Sequence, residues 1–456
     1  MKITIRHFSV FVVFAAVIFL FNACNPDNNT EPSPYDLVAD QDAEVTQAWI
    51  GLFLEIDRYS KGYRPGPSAR ALAYINFAAY EACIKGMPGF KSLRELYPDL
   101  NLPAAVQKDD YHWPSVLNAV YATLFQKFFP SDAFLDGYAD EYLFRIVELQ
   151  QTFSETYREK VGGTIYQRSE DLGTAVANAV WDWSGEDSFG HNAYLNPNPS
   201  SYTPPTGPGL WQPTPPDYTP ALFPSWGKVR TFTITAADKL ANQPLTFSQL
   251  QTSPFYAQAL AVRNAVDNLK FNEEWIAQFW SDDYPGLTFG PATRWISITS
   301  QVLEKENANL ETALYTYAKV SIALNDATIA AFHSKYTYNV ERPVSYINRV
   351  IDSDWQPATA STPAFPAYPS GHATMGAAAA EVLSHIFGYS YGMTDESHKG
   401  RQEFLGMPRA FASFYEMAEE NALSRIYLGV HYQMDADEGL RMGFDIGRKV
   451  NEMPFK

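Results

Sequence analysis

From residue 40 onward, apolar residues recur at spacings of three and four over long stretches that contain little Gly or Pro, the pattern of helices with one buried face. Ala69 to Tyr80 is the clearest stretch, and Arg64-Pro65-Gly66-Pro67-Ser68 before it supplies a stop, with Ser68 as the predicted N-cap. Pro114 to Phe129, Phe134 to Lys160 and Tyr166 to Trp183 repeat the pattern, the last with Leu172, Val176, Ala179 and Trp183 on one stripe. The period then breaks. Residues 184–232 are rich in Gly, Pro, Asn and Ser, which forbids helix. Trp211, Tyr218, Phe223, Trp226 and Phe232 make the stretch too aromatic for a loose linker, so it is expected to pack on the surface. Helix is predicted again over Pro254 to Leu269, Asn272 to Trp280, Pro291 to Asn307 and Glu311 to Phe332. After a loop from Val350 to Pro369, it is predicted over His372 to Phe387, Gly400 to Arg425 and Gly429 to Glu452. No alternating strand and no internal repeat stands out. The pattern predicts an all-α fold of packed helical bundles, divided into an N-terminal helical region (40–183), a Pro/Gly/aromatic connecting loop (184–246) and a C-terminal helical core (247–456).

The first residues obey a different pattern. Lys2 and Arg6 precede an apolar run from Phe8 to Phe21, and Asn22-Ala23-Cys24 follows. This resembles a bacterial lipoprotein signal over residues 1–23, with Cys24 as the lipid anchor and 24–39 as a polar tether. The expectation is an exported protein held at the bacterial cell envelope, at the outer membrane, through that lipid only; an ordinary secretory signal is the plainer alternative. The apolar run is too short for a spanning helix. Of the two cysteines only Cys83 then remains, which leaves no internal disulfide; its apolar surroundings predict a core residue. No CxxC or HExxH pattern indicates zinc.

Composition adds one constraint. Over 456 residues, 46% are hydrophobic and 19% charged, which fits a globular protein. The formal net charge of −17, with no basic stripe, argues against a nucleic-acid partner. An acidic chain that binds an anion must gather positive charge locally, and three short strings in the last third do so. They are Lys335 to Pro343 (KYTYNVERP), Pro369 to His372 (PSGH) and Ser424 to Asp435 (SRIYLGVHYQMD).

Lys335 and Arg342 lie two helical turns apart and would share a face on a continuous helix; Pro343 predicts that the helix ends at Arg342. A point charge and a planar fork together suit an anion with several oxygens, although each alone reads as a surface cation. Ser370, Gly371 and His372 stand at a predicted helix N-terminus, where free N–H groups favour an anion and His372 is placed for acid–base work. The plain alternative is Ser370 as an N-cap and His372 as a polar start. His431 and Asp435, four apart, are expected on one helix face, the carboxylate holding one ring nitrogen and leaving the other as nucleophile or ligand; Arg425 adds a third cation.

In this order the strings resemble the signature shared by type-2 phosphatidic acid phosphatases and vanadium-dependent haloperoxidases. Further stretches resemble the bacterial haloperoxidase side: Arg64-Pro65 through Ala73, Trp211 to Pro216 with Pro224 to Gly227, and Asp326-Ala327 running into Lys335. The resemblance covers about residues 60 to 445. It implies vanadate as cofactor, with Lys335, Arg342, Ser370, Gly371 and Arg425 on its oxygens, His431 as vanadium ligand and His372 as the acid–base residue. It implies oxidation of a halide, iodide or bromide favoured, by hydrogen peroxide to hypohalous acid, and marks Phe332 and Phe365 as halide-pocket candidates. Two positions depart from the family pattern. Phe332 replaces a common tryptophan, and Glu341 puts a carboxylate beside Arg342, where it is expected to lower the site's positive charge. The alternatives are an acid phosphatase that cleaves phosphate monoesters through a phosphohistidine at His431, oriented by Asp435, and a protein that binds phosphate or vanadate without turnover.

Overall fold

Leu310–Tyr338 is the longest helix among the described residues, and its ends follow from local chemistry. It holds no Gly or Pro. The Asn309 side chain accepts the Thr312 N–H at 3.0 Å to start it, and Asn339, in the left-handed region at φ 51°, stops it. Nearly every residue from Tyr317 to Ala331 is buried, so this helix is apolar or internally bonded all round and runs through the core.

The computed structural model describes residues 37–106 and 110–456. Among these residues there are thirteen α-helices: α1 Glu44–Tyr59, α2 Gly66–Cys83, α3 Trp113–Phe128, α4 Ala139–Val161, α5 Gly163–Gly185, α6 Pro254–Asp267, α7 Phe271–Phe279, α8 Pro291–Lys305, α9 Leu310–Tyr338, α10 Pro343–Val350, α11 Gly371–Phe387, α12 Phe414–Tyr427 and α13 Gln433–Asn451. Helix α2 packs on α3, α5 and α9; α11 packs on α9, α12 and α13. Helix α9 is therefore shared by two bundles, and the all-α expectation holds. None of the described helices is long and apolar enough to cross a membrane. The lipoprotein signal, Cys24 and most of the tether lie outside the described residues. Cys83 is fully buried, as its surroundings implied.

Several expectations need correction. Ser68 is not an N-cap: α2 starts earlier, at Gly66 with Pro67 in its first turn, and the Ser68 hydroxyl donates to Asp57 Oδ1 at 2.6 Å. Residues 400–412 are not helical. Gly400 takes φ 82° and Pro408 lacks a donor, and Arg409–Phe411 instead forms strand β2, antiparallel to β1 (Met393–Asp395), with Met393 opposite Phe411. Helix α13 starts at Gln433 rather than Gly429, which has φ 78°.

The connecting segment behaves as a packed belt. Trp211, Phe223, Trp226 and Phe232 are buried, while Tyr218 is exposed. The Asp326 carboxylate on α9 accepts the main-chain N–H groups of Phe232, Thr233 and Ile234 at 2.9, 2.7 and 3.1 Å. Further along, Ala241 N–H donates to Ser334 Oγ and Trp211 N–H donates to the Asn339 carbonyl. Side chains and the end of one helix thus take up donors that no sheet or helix of the belt's own satisfies.

Candidate active site

Lys335 stands in the last turn of α9, and Arg342 follows after the helix has ended. The two are not on one continuous helix. Asn339 breaks it, Arg342 is extended (φ −74°, ψ 153°), and Pro343 opens α10. The chain reversal still brings both cations to one place. Lys335 Nζ donates to the carbonyls of Pro366 and Ala367, each at 2.9 Å. Arg342 donates to the carbonyls of Phe365 at 2.9 Å and Val430 at 2.8 Å. Arg425, in the last turn of α12, donates to the Trp280 carbonyl at 2.9 Å, and its Nε has no partner among the described residues. All three are buried. Neutral carbonyls orient these cations without cancelling their charge. Burial accordingly lowers all three pKa values: Lys335 well below the usual lysine range, Arg342 to about 9, and Arg425 below its ordinary value.

Ser370 caps α11 through its hydroxyl, which accepts the Ala373 N–H at 3.4 Å. Capping uses an oxygen lone pair and leaves the hydroxyl proton free to donate. The first N–H groups of α11, at Gly371 and His372, belong to the set that a helix leaves without internal partners. Ser370 N–H donates to the Asp435 carbonyl at 2.8 Å, which fastens the second string to the third.

His431 precedes α13, while Asp435 lies in its first turn, so the pair does not share a helix face as expected. The Asp435 carboxylate reaches back instead. Its Oδ2 accepts from His431 Nδ1 at 2.9 Å and from Tyr432 N–H at 3.0 Å. Arg342 lies 3.2 Å from His431 Nε2. A guanidinium can only donate, so Nε2 carries the lone pair and Nδ1 the proton. Burial, then Arg342, Lys335 and Arg425, push the His431 pKa well below its ordinary value, which keeps the ring neutral.

His372 Nε2 has no partner among the described residues, and its pKa is lowered first by burial and then by Arg425, Lys335 and Arg342. Asp282 Oδ2 lies 4.0 Å from it, in the segment that leaves α7. Neither Asp282 oxygen accepts a hydrogen bond among the described residues, and burial raises this carboxyl to about 7 against the pull of Arg294 and Arg425. Sequence reading missed Asp282. Ser281-Asp282-Asp283-Tyr284-Pro285-Gly286 reads as a polar surface turn, and no spacing ties it to the three strings.

His372, His431, Arg425 and Gly371 line one cavity of about 250 Å³, together with Phe332 and Phe365. The two rings pack 5.1 Å apart, and the Lys335 and Arg342 charges each lie 5.0 Å from the Phe365 centroid. Glu341 does not act as expected. It is buried, but Arg349 holds it in a two-pronged ion pair at 2.6 and 2.9 Å, so its charge is compensated outside the site.

The residues fit a tetrahedral or bipyramidal oxyanion. Arg425 with its free guanidinium Nε, the start of α11 and the neutral His431 imidazole line one cavity, and Lys335 and Arg342, also buried without a bonded carboxylate, lie 5.0 Å from the Phe365 ring in its wall. The sequence-derived set Lys335, Arg342, Ser370, Gly371, His372, Arg425, His431 and Asp435 is gathered in full, and Asp282 joins it.

Comparison with known proteins agrees. The family model for the VCPO second helical-bundle domain matches residues 348–455. Vanadium chloroperoxidase of Curvularia inaequalis is 27% identical over 278 residues, 47% of this chain and 46% of that protein, so the match spans about half the relative's length. Among solved structures, one described as the first bacterial vanadium-dependent iodoperoxidase superposes with a TM-score of 0.76 at 28% identity, covering 91% of this chain and 96% of that one. A holo-type bacterial vanadium-dependent chloroperoxidase gives 0.62 at 14% identity, covering 88% and 95%, a likeness of fold.

Proposed function

We infer, from this chain's membership of the vanadium haloperoxidase family, that it is a vanadate-dependent enzyme that oxidises a halide with hydrogen peroxide to hypohalous acid. The observation that carries the reading is the cluster of three buried cations bonded to neutral carbonyls around the unpartnered Nε2 of His372 and the neutral His431 ring, whose Nε2 faces Arg342. A site built that way is electrostatically incomplete without an anion. Vanadate, when bound, supplies a Lewis-acidic centre that activates peroxide toward a halide. The chain's own residues do the remaining work. Lys335, Arg342 and Arg425 balance the oxyanion's charge, and Ser370 and Gly371 give short donors at a helix start. His431 presents its Nε2 lone pair as the ligand, held in the right tautomer by Asp435. His372 Nε2 gives and takes a proton at an oxygen facing the cavity, with the Asp282 carboxyl 4.0 Å away. Phe332 and Phe365 wall off water and offer polarisable faces, which favours iodide or bromide; the 28% identical structural relative is described as an iodoperoxidase.

One observation favours a second reading. A neutral imidazole oriented by a carboxylate is also what a phosphohistidine enzyme needs, so phosphate monoester hydrolysis is the alternative. Purified protein assayed for peroxide-dependent iodide oxidation, with and without orthovanadate, separates the two. Turnover that requires vanadate is expected. Hydrolysis of a phosphomonoester that vanadate inhibits, with no halide oxidised, would replace the reading with the phosphatase. Orthovanadate bound without either activity leaves only an anion-binding protein. Location belongs to the same proposal: lipid attached at Cys24 would hold the enzyme at the bacterial cell envelope, and metabolic labelling with a palmitate analogue, lost in Cys24→Ser, tests it.

A further inference from the structure

Oxidants formed in an enclosed cavity meet its walls before they meet solvent. One wall residue here is a thioether. Met375 follows Gly371 by four residues on α11, one turn deeper on the same face. Its terminal methyl lies 3.9 Å from where a Cβ on Gly371 would stand, the same distance as Lys335 Cε from that point. It lines the cavity shared by His372, His431, Phe332 and Phe365, yet it is only 2% exposed. Met407, by contrast, is 44% exposed and lines no part of this cavity. A freely diffusing oxidant reaches Met407 first, whereas one generated beside His372 reaches Met375 first.

We propose that Met375 is the first residue this enzyme oxidises in its own turnover, and that its sulfoxide limits the catalytic lifetime. The inference rests on the haloperoxidase reading, because the oxidant is the hypohalous acid that reading supplies. The Met375 sulfur lone pair attacks the halogen, the oxygen–halogen bond breaks and hydroxide leaves. Water then adds to sulfur, halide departs and two protons are released, one of them neutralising the hydroxide. Sulfur loses two electrons and the halogen gains them, so thioether and hypohalous acid become sulfoxide, halide and one proton. The new S=O puts a strong hydrogen-bond acceptor where an apolar thioether stood, close to Gly371 at the start of α11, and it competes with the bound oxyanion for the donors there.

The test uses vanadate-loaded full-length protein with peroxide and the halide it turns over, followed by peptide mass spectrometry at intervals. Sulfoxide in the Met375 peptide should rise in step with turnover and exceed that in the Met407 peptide on the order of tenfold. Peroxide without halide should leave Met375 reduced. Sustained halide oxidation with Met375 intact overturns the inference and leaves the function standing; equal oxidation of Met375 by peroxide alone also overturns it. If no halide is oxidised, the functional reading falls and takes this inference with it. Met375→Leu should extend total turnovers several-fold, and decay at the wild-type rate would show that the sulfoxide is not the lesion.

Discussion

His372 and Asp282 are the residues on which chemistry and pH meet. His372→Ala should remove turnover while orthovanadate still binds, since the three cations remain; equilibrium binding measured beside steady-state rates checks both halves. Burial raises the Asp282 carboxyl to about 7, whereas His372 takes up a proton only well below its ordinary range, where Asp282 is already uncharged. In Asp282→Asn the limb of the pH–rate profile that needs protonated His372 should therefore stay in place, and a shift of about a full pH unit would show that the carboxylate charge sets it. Stability gives an independent sign. The folded carboxyl has a pKa raised above its ordinary 3.8, so the folded state holds the proton more tightly and loses stability as pH rises from about 4 to 7. Asp282→Asn should flatten that fall in thermal unfolding, and an unchanged slope would refute the assignment. Glu341 marks the opposite case. Because Arg349 already compensates it, Glu341→Gln should leave kcat for halide oxidation within about twofold, a difference worth ~0.4 kcal/mol. The eight site residues were legible because short strings carry them; Asp282 was not, because its contact with His372 crosses ninety positions and an ordinary-looking turn.

At the scale of elements, helix existence was readable from spacing and helix ends were not. Asn339, Gly400 and Gly429 take backbone conformations that periodicity does not encode, and each moved a helix boundary, two of them, at Asn339 and Gly429, next to the site. The turn at Asn339 changed the reason Lys335 and Arg342 meet, although not the fact. One element contact is set by small residues alone. Gly439, Gly443 and Gly447 recur every four residues on α13 and lie against α11, and a Cβ at Gly439 would stand 2.7 Å from the Ser370 carbonyl. A Cβ at Gly443 would strike the Thr374 carbonyl. This close approach is what lets Ser370 bond to Asp435 and brings His372 to His431. Gly443→Ala should therefore cost about 1–3 kcal/mol in denaturant unfolding and weaken anion affinity as well, because overpacking here pries apart two strings of the site.

For the whole molecule, the buried cations make function and stability one quantity. A chain of net charge −17 keeps three positive groups in its interior without a bonded counter-anion. Orthovanadate at a hundred times its dissociation constant should stabilise the fold by about 2.7 kcal/mol, seen as a rise in the unfolding midpoint. Arg425→Met should lose most of that gain while being as stable as the parent without anion, since it removes a desolvated charge; marked destabilisation of the unloaded variant would contradict this account.

The belt carries a consequence in time. The amide protons of Phe232, Thr233 and Ile234 are all held by Asp326, on the same helix that carries Lys335 nine positions later. They cannot exchange with solvent deuterium unless the belt lifts from that helix, so their exchange rate counts openings of the scaffold behind the site. An anion bound on the far side of α9 would slow that clock without touching it.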